Sequence, residues 1–376
     1  MLRRLLLIIL TLIIAIMMNS TCSKAVEQKS PETPDQSQSA AATAIPVPAT
    51  TAAIAASPAQ EPAAAGLETV KLQKPVIEEK AKISVSFAGD CTLGTDTTFS
   101  YKASFPQVLA DKNNDYAWFF SGVKQIFQSD DLTLVNLETT LTDASKHAKK
   151  KFRFKGDPSY AKILKEASVE VVNIANNHTM DYLQKGFNDT LFALEKAGVE
   201  YSGREYAPCI TVKGVKVAFI GYTAWDMDVR EKIRESLKQA KASAQVIIVS
   251  LHWGRERVYF PDEEQIALAH FCIDNGADAV IGHHPHVLQS VEFYKQRYIA
   301  YSLGNFCFGG NSNPTDKDSM ILRNVFELKQ GKLIGVEAEI MPCSISSSKN
   351  VNDYRPELLH GKEKDRVLAK IKKTGW

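Results

Sequence analysis

The residues best suited to chemistry in this chain gather at Val280-Ile281-Gly282-His283-His284-Pro285-His286, where an apolar run stops at three histidines and a proline. Ala277 to Gly282 reads as a short buried strand. The turn after it exposes His284 and His286, whose same-side projection in an extended segment lets two imidazoles share one metal ion. The same grammar recurs upstream. Gln245 to Leu251 reads as a strand ending in His252-Trp253-Gly254, and Val169 to Ala175 leads into Asn176-Asn177-His178. Five of the eight histidines therefore fall just past the carboxyl ends of predicted parallel strands, the edge on which open α/β sheets build their sites. Each alone reads as an ordinary turn histidine; together they point to a site.

Other strand ends supply the remaining polar groups. Ile83 to Ala88 ends in Gly89-Asp90, Leu132 to Leu137 ends in Glu138, and Tyr298 to Leu303 leads to Asn305. Taken singly, Asp90 could cap a helix, Glu138 could pair with a lysine and Asn305 could hold a turn. Two carboxylates, an amide and at least three imidazoles are the ligand set of a dinuclear site for zinc, manganese or iron. Imidazole suits the softer of these ions, and a carboxylate can bridge two cations. A metal-dependent hydrolase is the chemical reading; a polar hydrogen-bond network is the structural alternative.

The elements that must position these groups alternate. Helices are predicted over Phe119 to Gln128, Pro158 to Ala167 (opening on an Asp157 cap), Gly186 to Ala197 (stopped by Gly198), Arg230 to Lys241, Pro261 to Asn275 and Glu363 to Lys373. Val215 to Ile220 is a further strand, and Met320 to Leu328 with Leu333 to Ile340 reads as a hairpin. Such alternation predicts an α/β fold with helices on both sheet faces, as a single globular domain without internal repeats.

At 376 residues and 44% hydrophobic content the chain can bury a sizeable core. Its 45 basic and 43 acidic residues leave no polyanion-wide charge, so a nucleic-acid partner has no support. The basic stretch Lys146 to Lys155 reads as a solvated loop that could also steer an anionic substrate. Met1-Leu2-Arg3-Arg4 followed by a short apolar core has the form of a signal peptide over residues 1–21, too short for a permanent membrane span. Asn19-Ser20-Thr21-Cys22 is similar to a bacterial lipoprotein processing site, with Cys22 as the acylated residue. Residues 22–80, rich in Ala, Pro, Ser and Thr, bury too little apolar surface to fold and read as a disordered tether. The expectation is an extracytoplasmic, membrane-anchored protein whose folded part covers residues 81–376. The six cysteines show no Cys-x-x-Cys pair, which argues against thiolate zinc and for buried small hydrophobes.

Gly89-Asp90, Asn136-Leu137-Glu138, Asn176 to Asp181, Leu251-His252-Trp253-Gly254, Gly282 to Gln289 and Tyr301 to Phe306, in this order, resemble the signature set of the CapA family of poly-γ-glutamate capsule biosynthesis proteins, relatives of the calcineurin-like metallophosphoesterases. The resemblance spans roughly residues 82 to 370. It implies a four-layer αββα sandwich, a pair of divalent ions, and Asp90, Glu138, Asn177, His252, His284 and His286 as their ligands. Asn176, His283 and Asn305 fall beside these in the same motifs. His178 resembles the histidine that phosphoesterases place near the leaving group, and Asp181 would orient it. Thr92 stands where the wider superfamily has a histidine two residues after the aspartate, and Glu138 stands in place of its bridging Asp. The implied partners are the membrane through the N-terminal lipid, an anionic polymer or envelope substrate, and capsule synthase subunits. The implied function is metal-dependent hydrolysis of a phosphoester or amide; a non-catalytic polymer-binding or scaffold role is the alternative.

Overall fold

The computed structural model describes residues 80–225 and 227–374; the signal segment, Cys22 and most of the tether lie outside them. In chain order the strands are β1 (Lys80–Thr92), β2 (Thr95–Asp96), β3 (Leu132–Leu137), β4 (Thr140–Leu141), β5 (Phe154–Gly156), β6 (Val171–Asn173), β7 (Glu200–Ser202), β8 (Cys209–Val212) and β9 (Val215–Ala224). They continue as β10 (Val246–Trp253), β11 (Ala279–His283), β12 (Val291–Tyr294), β13 (Arg297–Ala300), β14 (Asn305–Phe308), β15 (Asp318–Lys329), β16 (Lys332–Ser344) and β17 (Glu357–Leu358).

Successive side chains of a strand point to opposite faces, so a strand buried on both faces reads as a continuous apolar run. β10 does so. Val246 and Ile248 enter one core with Ile83, Val85 and Phe87 of β1. Ile247 and Val249 enter another with Ile233, Leu237 and Leu268 of the covering helices. The first core lies between two sheets. One has the order β17-β16-β15-β1-β3-β6-β7 with β14 paired to β1, and the other β12-β13-β11-β10-β9-β8. Helices Ala161–Glu166 and Leu183–Ala197 bury Ile163, Leu164, Phe187 and Leu194 on the outer face of the first sheet. Helices Arg230–Lys241 and Glu263–Asp274 cover the second. The result is the helix, sheet, sheet, helix sandwich that the resemblance implies. β1, β3, β6 and β7 run parallel, as do β9, β10, β11 and β13, which gives each sheet a set of aligned carboxyl ends.

Local chemistry explains several boundaries. Helix Glu263–Asp274 opens on a reciprocal capping box between Asp262 and Gln265. Helix Leu183–Ala197 stops at Gly198, which takes the left-handed conformation at φ 69°. The helix expected over Phe119 to Gln128 is instead a 3₁₀ turn, Tyr116–Phe120, and a short helix, Lys124–Ser129. Between them Gly122 meets Pro356, whose carbonyl oxygen would be 2.5 Å from any Cβ there. The strand expected over Val169 to Ala175 closes early at Asn173, because its side-chain Oδ1 accepts the Ala175 N–H and turns the chain. The closing helix, Gly361–Lys373, turns Val367 and Ile371 into the core between the sheets. The β12–β13 hairpin and the small β2-β5-β4 sheet had no turn signal. The hairpin's tip is Lys295-Gln296, both at positive φ without the usual Gly or Asn. Among the described residues no helix is long and apolar enough to cross a membrane.

One half-buried acid in this frame has a clear pH signature. Glu170 accepts the Thr133 N–H at 2.8 Å, and burial pushes its carboxyl from the ordinary 4.5 up to about 7. A raised acid favours folding while it is protonated, so its contribution is present below about 4.5 and is lost as pH rises through about 7. Glu170→Gln should therefore gain melting temperature relative to the parent between pH 5 and pH 8. Thermal melts whose parent-to-variant difference does not change with pH would refute this.

Candidate metal centre

Asp90 reaches the meeting point of the two sheets through an irregularity in β1. The β1–β3 register slips between Ala88 and Asp90, a bulge of the kind that re-aims a side chain. Gly89 lets the chain at Gly304 pass close by. A Cβ at position 89 would lie 2.0 Å from the Gly304 carbonyl oxygen, which itself accepts the Asp90 N–H at 2.9 Å. Glu138 follows β3 directly, with its N–H bonded to the Cys91 carbonyl. The Thr92 hydroxyl donates to the Glu138 main-chain carbonyl at 3.2 Å, so it tethers backbone.

From the second sheet, His252 near the end of β10 lies in register with His283 at the end of β11. Beyond His283 the backbone leaves extended geometry, with φ of 97° at His284 and 56° at His286. The extended segment expected there is therefore a tight turn of non-glycine residues in strained conformations. Its bonds account for its persistence. The His284 N–H donates to Asp90 Oδ2 at 3.2 Å, and the Pro285 carbonyl accepts the Arg257 N–H at 2.8 Å. Asn305 holds His286 by side chain and backbone, with Oδ1 2.9 Å from Nδ1 and its amide donating to the His286 carbonyl.

Asp90, Glu138, His252, His284 and His286 thus come together, and Glu256 joins them. Three overlapping groups, Glu138-His252-His284, Asp90-Glu138-His286 and Glu256-His284-His286, each have ligand atoms within 4.8 Å of one another. Asn177 sits at the margin, its Oδ1 2.9 Å from His252 Nε2. His283 is buried behind Asp90, 3.4 Å from Oδ1. Asn176 braces the turn, donating to the Leu137 carbonyl and accepting the His178 N–H.

The two carboxylates differ in their surroundings. Asp90 accepts the Asn136 amide at 2.9 Å and lies 3.1 Å from His286 Nδ1. Burial would raise it, but hydrogen bonds from His283 and His286 win and hold it well below the usual carboxylate range. Glu138 is equally buried and neither of its oxygens has a hydrogen-bond partner. Imidazole nitrogens stand 3.5 Å (His252), 3.8 Å (His286) and 3.9 Å (His178) from it. Burial pushes it well above its ordinary value, with His286 a partial offset. Burial, reinforced by neighbouring imidazoles, lowers His252 strongly and His284 to about 4, so both are neutral with a lone pair to give. His286 is the exception: burial would lower it, but Glu138 and Asp90 win and raise it to about 9. An orphaned carboxylate beside neutral imidazole donors is what a divalent cation requires. These residues fit one.

Beside this cluster stands a second unit. His178 Nδ1 lies 2.6 Å from Asp181 Oδ2, and the same carboxylate accepts from the Phe154 N–H and from Lys150 Nζ, each at 2.6 Å. Since Asp181 only accepts here, His178 carries its proton on Nδ1 and turns an unprotonated Nε2 toward Glu138. Burial lowers His178, against the pull of Asp181. Phe154 stacks on the imidazole at 4.2 Å.

Sequence reasoning left several of these residues without a role. Asn136 was visible in a motif, and the structure shows it linking Asp90 to Asn173 and Asn176. Lys150 lay inside a basic run that reads as solvated loop. Glu256 lies on the loop after β10, and the half-exposed Trp225, whose ring is 4.8 Å from that of His284, directly follows β9, which runs past the Ile220 at which the sequence pattern ends it. Among the described residues all five cysteines are free, four of them buried, as expected of small hydrophobes. A cavity of about 790 Å³ lies apart, where loops 313–318 and 344–349 meet the last helix. Its chief charges are already paired, Arg366 with Asp318 and Lys370 with Asp316.

Fold and centre together define a two-sheet α/β protein with a cation-competent site at the strand ends. The chain belongs to the family described as bacterial capsule synthesis protein PGA_cap, whose model matches residues 84–310. It is 32% identical over 322 residues to the PGA biosynthesis protein CapA of Bacillus subtilis, covering 78% of this chain and 80% of that one. It is also 32% identical over 274 residues to the capsule biosynthesis protein CapA of Bacillus anthracis; that match covers 65% of this chain and 64% of the relative, just under two thirds of its length. Among solved structures, a hypothetical protein from Thermus thermophilus overlaps with a TM-score of 0.44 at 16% identity, covering 69% of this chain and 99% of the other. Likeness at that distance transfers no function.

The close approach at Gly89 is directly testable. In Gly89→Ala the new methyl collides with backbone that cannot swing aside, so a loss of about 1–3 kcal/mol is expected from overpacking. Denaturant unfolding with an unchanged midpoint would show that the β1 bulge tolerates a side chain.

Proposed function

We propose that this chain is an extracytoplasmic, metal-dependent hydrolase of capsule or cell-envelope polymer synthesis, acting on a phosphoester or an amide. The observation that carries the reading is Glu138, fully buried without a hydrogen bond among His252, His284, His286 and Asp90. A divalent cation, when bound, supplies charge stabilisation and an activated water at neutral pH. The chain supplies the rest. Asp90 and Glu138 offset the positive charge, and two positions, of zinc, manganese or iron, suit the overlap of the buried ligand groups. His178 Nε2, facing the centre with its far side fixed by Asp181, is placed to take or return one proton. Lys150 fixes Asp181 in turn. The name of the Bacillus subtilis relative supports a poly-γ-glutamate context and that of the Bacillus anthracis relative a capsule context, with an anionic polymer as substrate and synthase subunits as partners.

Lys146, Lys149 and Lys151, exposed on the loop that carries Lys150, favour a second reading. They would let an anionic chain lie along this face whether or not it is cleaved, as a polymer-binding or scaffold component requires. Metal content separates the two. Protein purified without chelator should carry divalent metal; the His284→Ala, His286→Ala double variant should lose it while staying folded. His178→Ala should keep the metal and lose roughly 10²–10⁴ in turnover. No stoichiometric metal by elemental analysis, even after zinc or manganese loading, would sink the hydrolase and leave the scaffold.

Membrane attachment belongs to the same proposal and rests on Arg3-Arg4, the apolar core and Cys22. Mature protein should fractionate with membranes and begin at a lipid-bearing Cys22, and Cys22→Ala should release it. Retention of that variant with an intact Met1 would instead indicate an uncleaved anchor.

A further inference from the structure

The acidic side chain of Glu256 has no ordinary structural explanation. It is exposed, and among the described residues it has neither an ion-pair nor a hydrogen-bond partner, yet a carboxylate oxygen lies within 4.8 Å of ligand nitrogens of both His284 and His286. A free surface glutamate would sample many positions, but the loop bearing this one is fastened on either side of it. Gly254 precedes it at φ 72°, a conformation that suits glycine, and a Cβ there would crowd the Gln265 side chain. The Arg257 N–H donates to the Pro285 carbonyl at 2.8 Å, inside the very turn that carries His284 and His286. The Val258 carbonyl accepts from Gln289, whose own Oε1 accepts from Gln265. The loop and the histidine turn are thus one bonded assembly, and residue 256 moves with the imidazoles.

The buried ligands leave room for a further donor. Asp90, Glu138 and His286 form a group of only three side chains. Divalent ions of this class take four to six ligands, and carboxylate is a common one. We propose that Glu256 is a third carboxylate ligand of the centre, binding a divalent ion from the solvent side together with His284 and His286. This rests on the metal reading above and assigns that centre an asymmetry, with a buried ion position and a more exposed one that Glu256 closes.

The test uses the full-length protein in detergent, stripped of metal and titrated with Zn²⁺ and, separately, Co²⁺. The expected result for Glu256→Gln is unchanged folding by circular dichroism, a weaker-bound metal equivalent that loses at least about tenfold in affinity, and an altered cobalt visible absorption. The absorption reports the ion's own coordination, so it separates ligation from a mere change in nearby charge. Weaker binding with an unchanged cobalt spectrum, or no change in stoichiometry, affinity and spectrum in both Glu256→Gln and Glu256→Ala, overturns the assignment. A parent that binds no metal at all overturns the metal reading with it. A parent that binds metal just as the variants do overturns only the role of Glu256.

Discussion

A carboxylate taken fully out of water with no donor to receive it costs several kcal/mol unless something positive meets it. Glu138 is that group, and the chain meets it only in part: Glu138 and Asp90 outweigh burial and raise the His286 imidazole, 3.8 Å away, to about 9. Asp90 at the same depth shows how this chain satisfies an acid by hydrogen bonds. It receives the Asn136 amide, the His284 N–H and His286 Nδ1. A polar network without a cation would give Glu138 similar donors. Instead its neighbours are imidazoles standing 3.5–3.9 Å away, beyond hydrogen-bond reach. One of them, His252, and His284 beside it are held neutral by burial. The partly met acid and the unprotonated nitrogens are two halves of one requirement.

Meeting that requirement depends on bringing two sheets to a common edge. The chain does so by crossing from the second sheet to the first between Ala300 at the end of β13 and Asn305 at the start of β14. The crossing is bonded to both sides. Trp253 Nε1 donates to the Tyr301 carbonyl at 2.9 Å, and the Gly304 carbonyl accepts the Asp90 N–H. Two glycines make the passage possible: a Cβ at Gly282 would stand 2.0 Å from the Tyr301 oxygen, as one at Gly89 would from Gly304. Asp90 and the histidine turn are therefore placed against the same few peptide units. A shift of about 1 Å in the crossing would move both ligand sets, and site chemistry is sensitive to displacements of that size.

This division explains what could be read in the sequence. Strand ends were legible because β3, β10 and β11 are buried on both faces and announce themselves as apolar runs, so the polar residue that ends each one stands out. Asp90, Glu138, His252 and His283 followed from that contrast alone. The positive-φ turn at His284 and His286 was not legible, since neither residue type asks for it and only long-range bonds to Asp90 and Arg257 hold it. Lys150 and Glu256 were missed for a related reason. Each is a charged residue in a polar segment, where composition speaks for solvent, and its role appears only when the loop is folded against a distant element. The short strands β2, β4 and β5 carried too few residues for any period to register.

The centre's two tasks rest on separate supports. The groups that can hold a cation come from the ends of β1, β3, β10 and β11, tied together by the crossing chain. The group that can handle a proton is fixed differently: His178 is gripped directly by Asp181 and Phe154 and, through Asp181, by Lys150, all within residues 150–181. It approaches the cation cluster through space, at 3.9 Å from Glu138. Losing an imidazole from the histidine turn therefore removes none of these three grips on His178, and losing His178 removes no ligand. Lys150 joins this second support to the outside, because its ammonium reaches the buried Asp181 from a loop whose neighbours Lys149 and Lys151 face solvent. Those lysines place positive charge on the loop that fixes the proton-handling histidine, apart from the strand ends that hold the cation ligands.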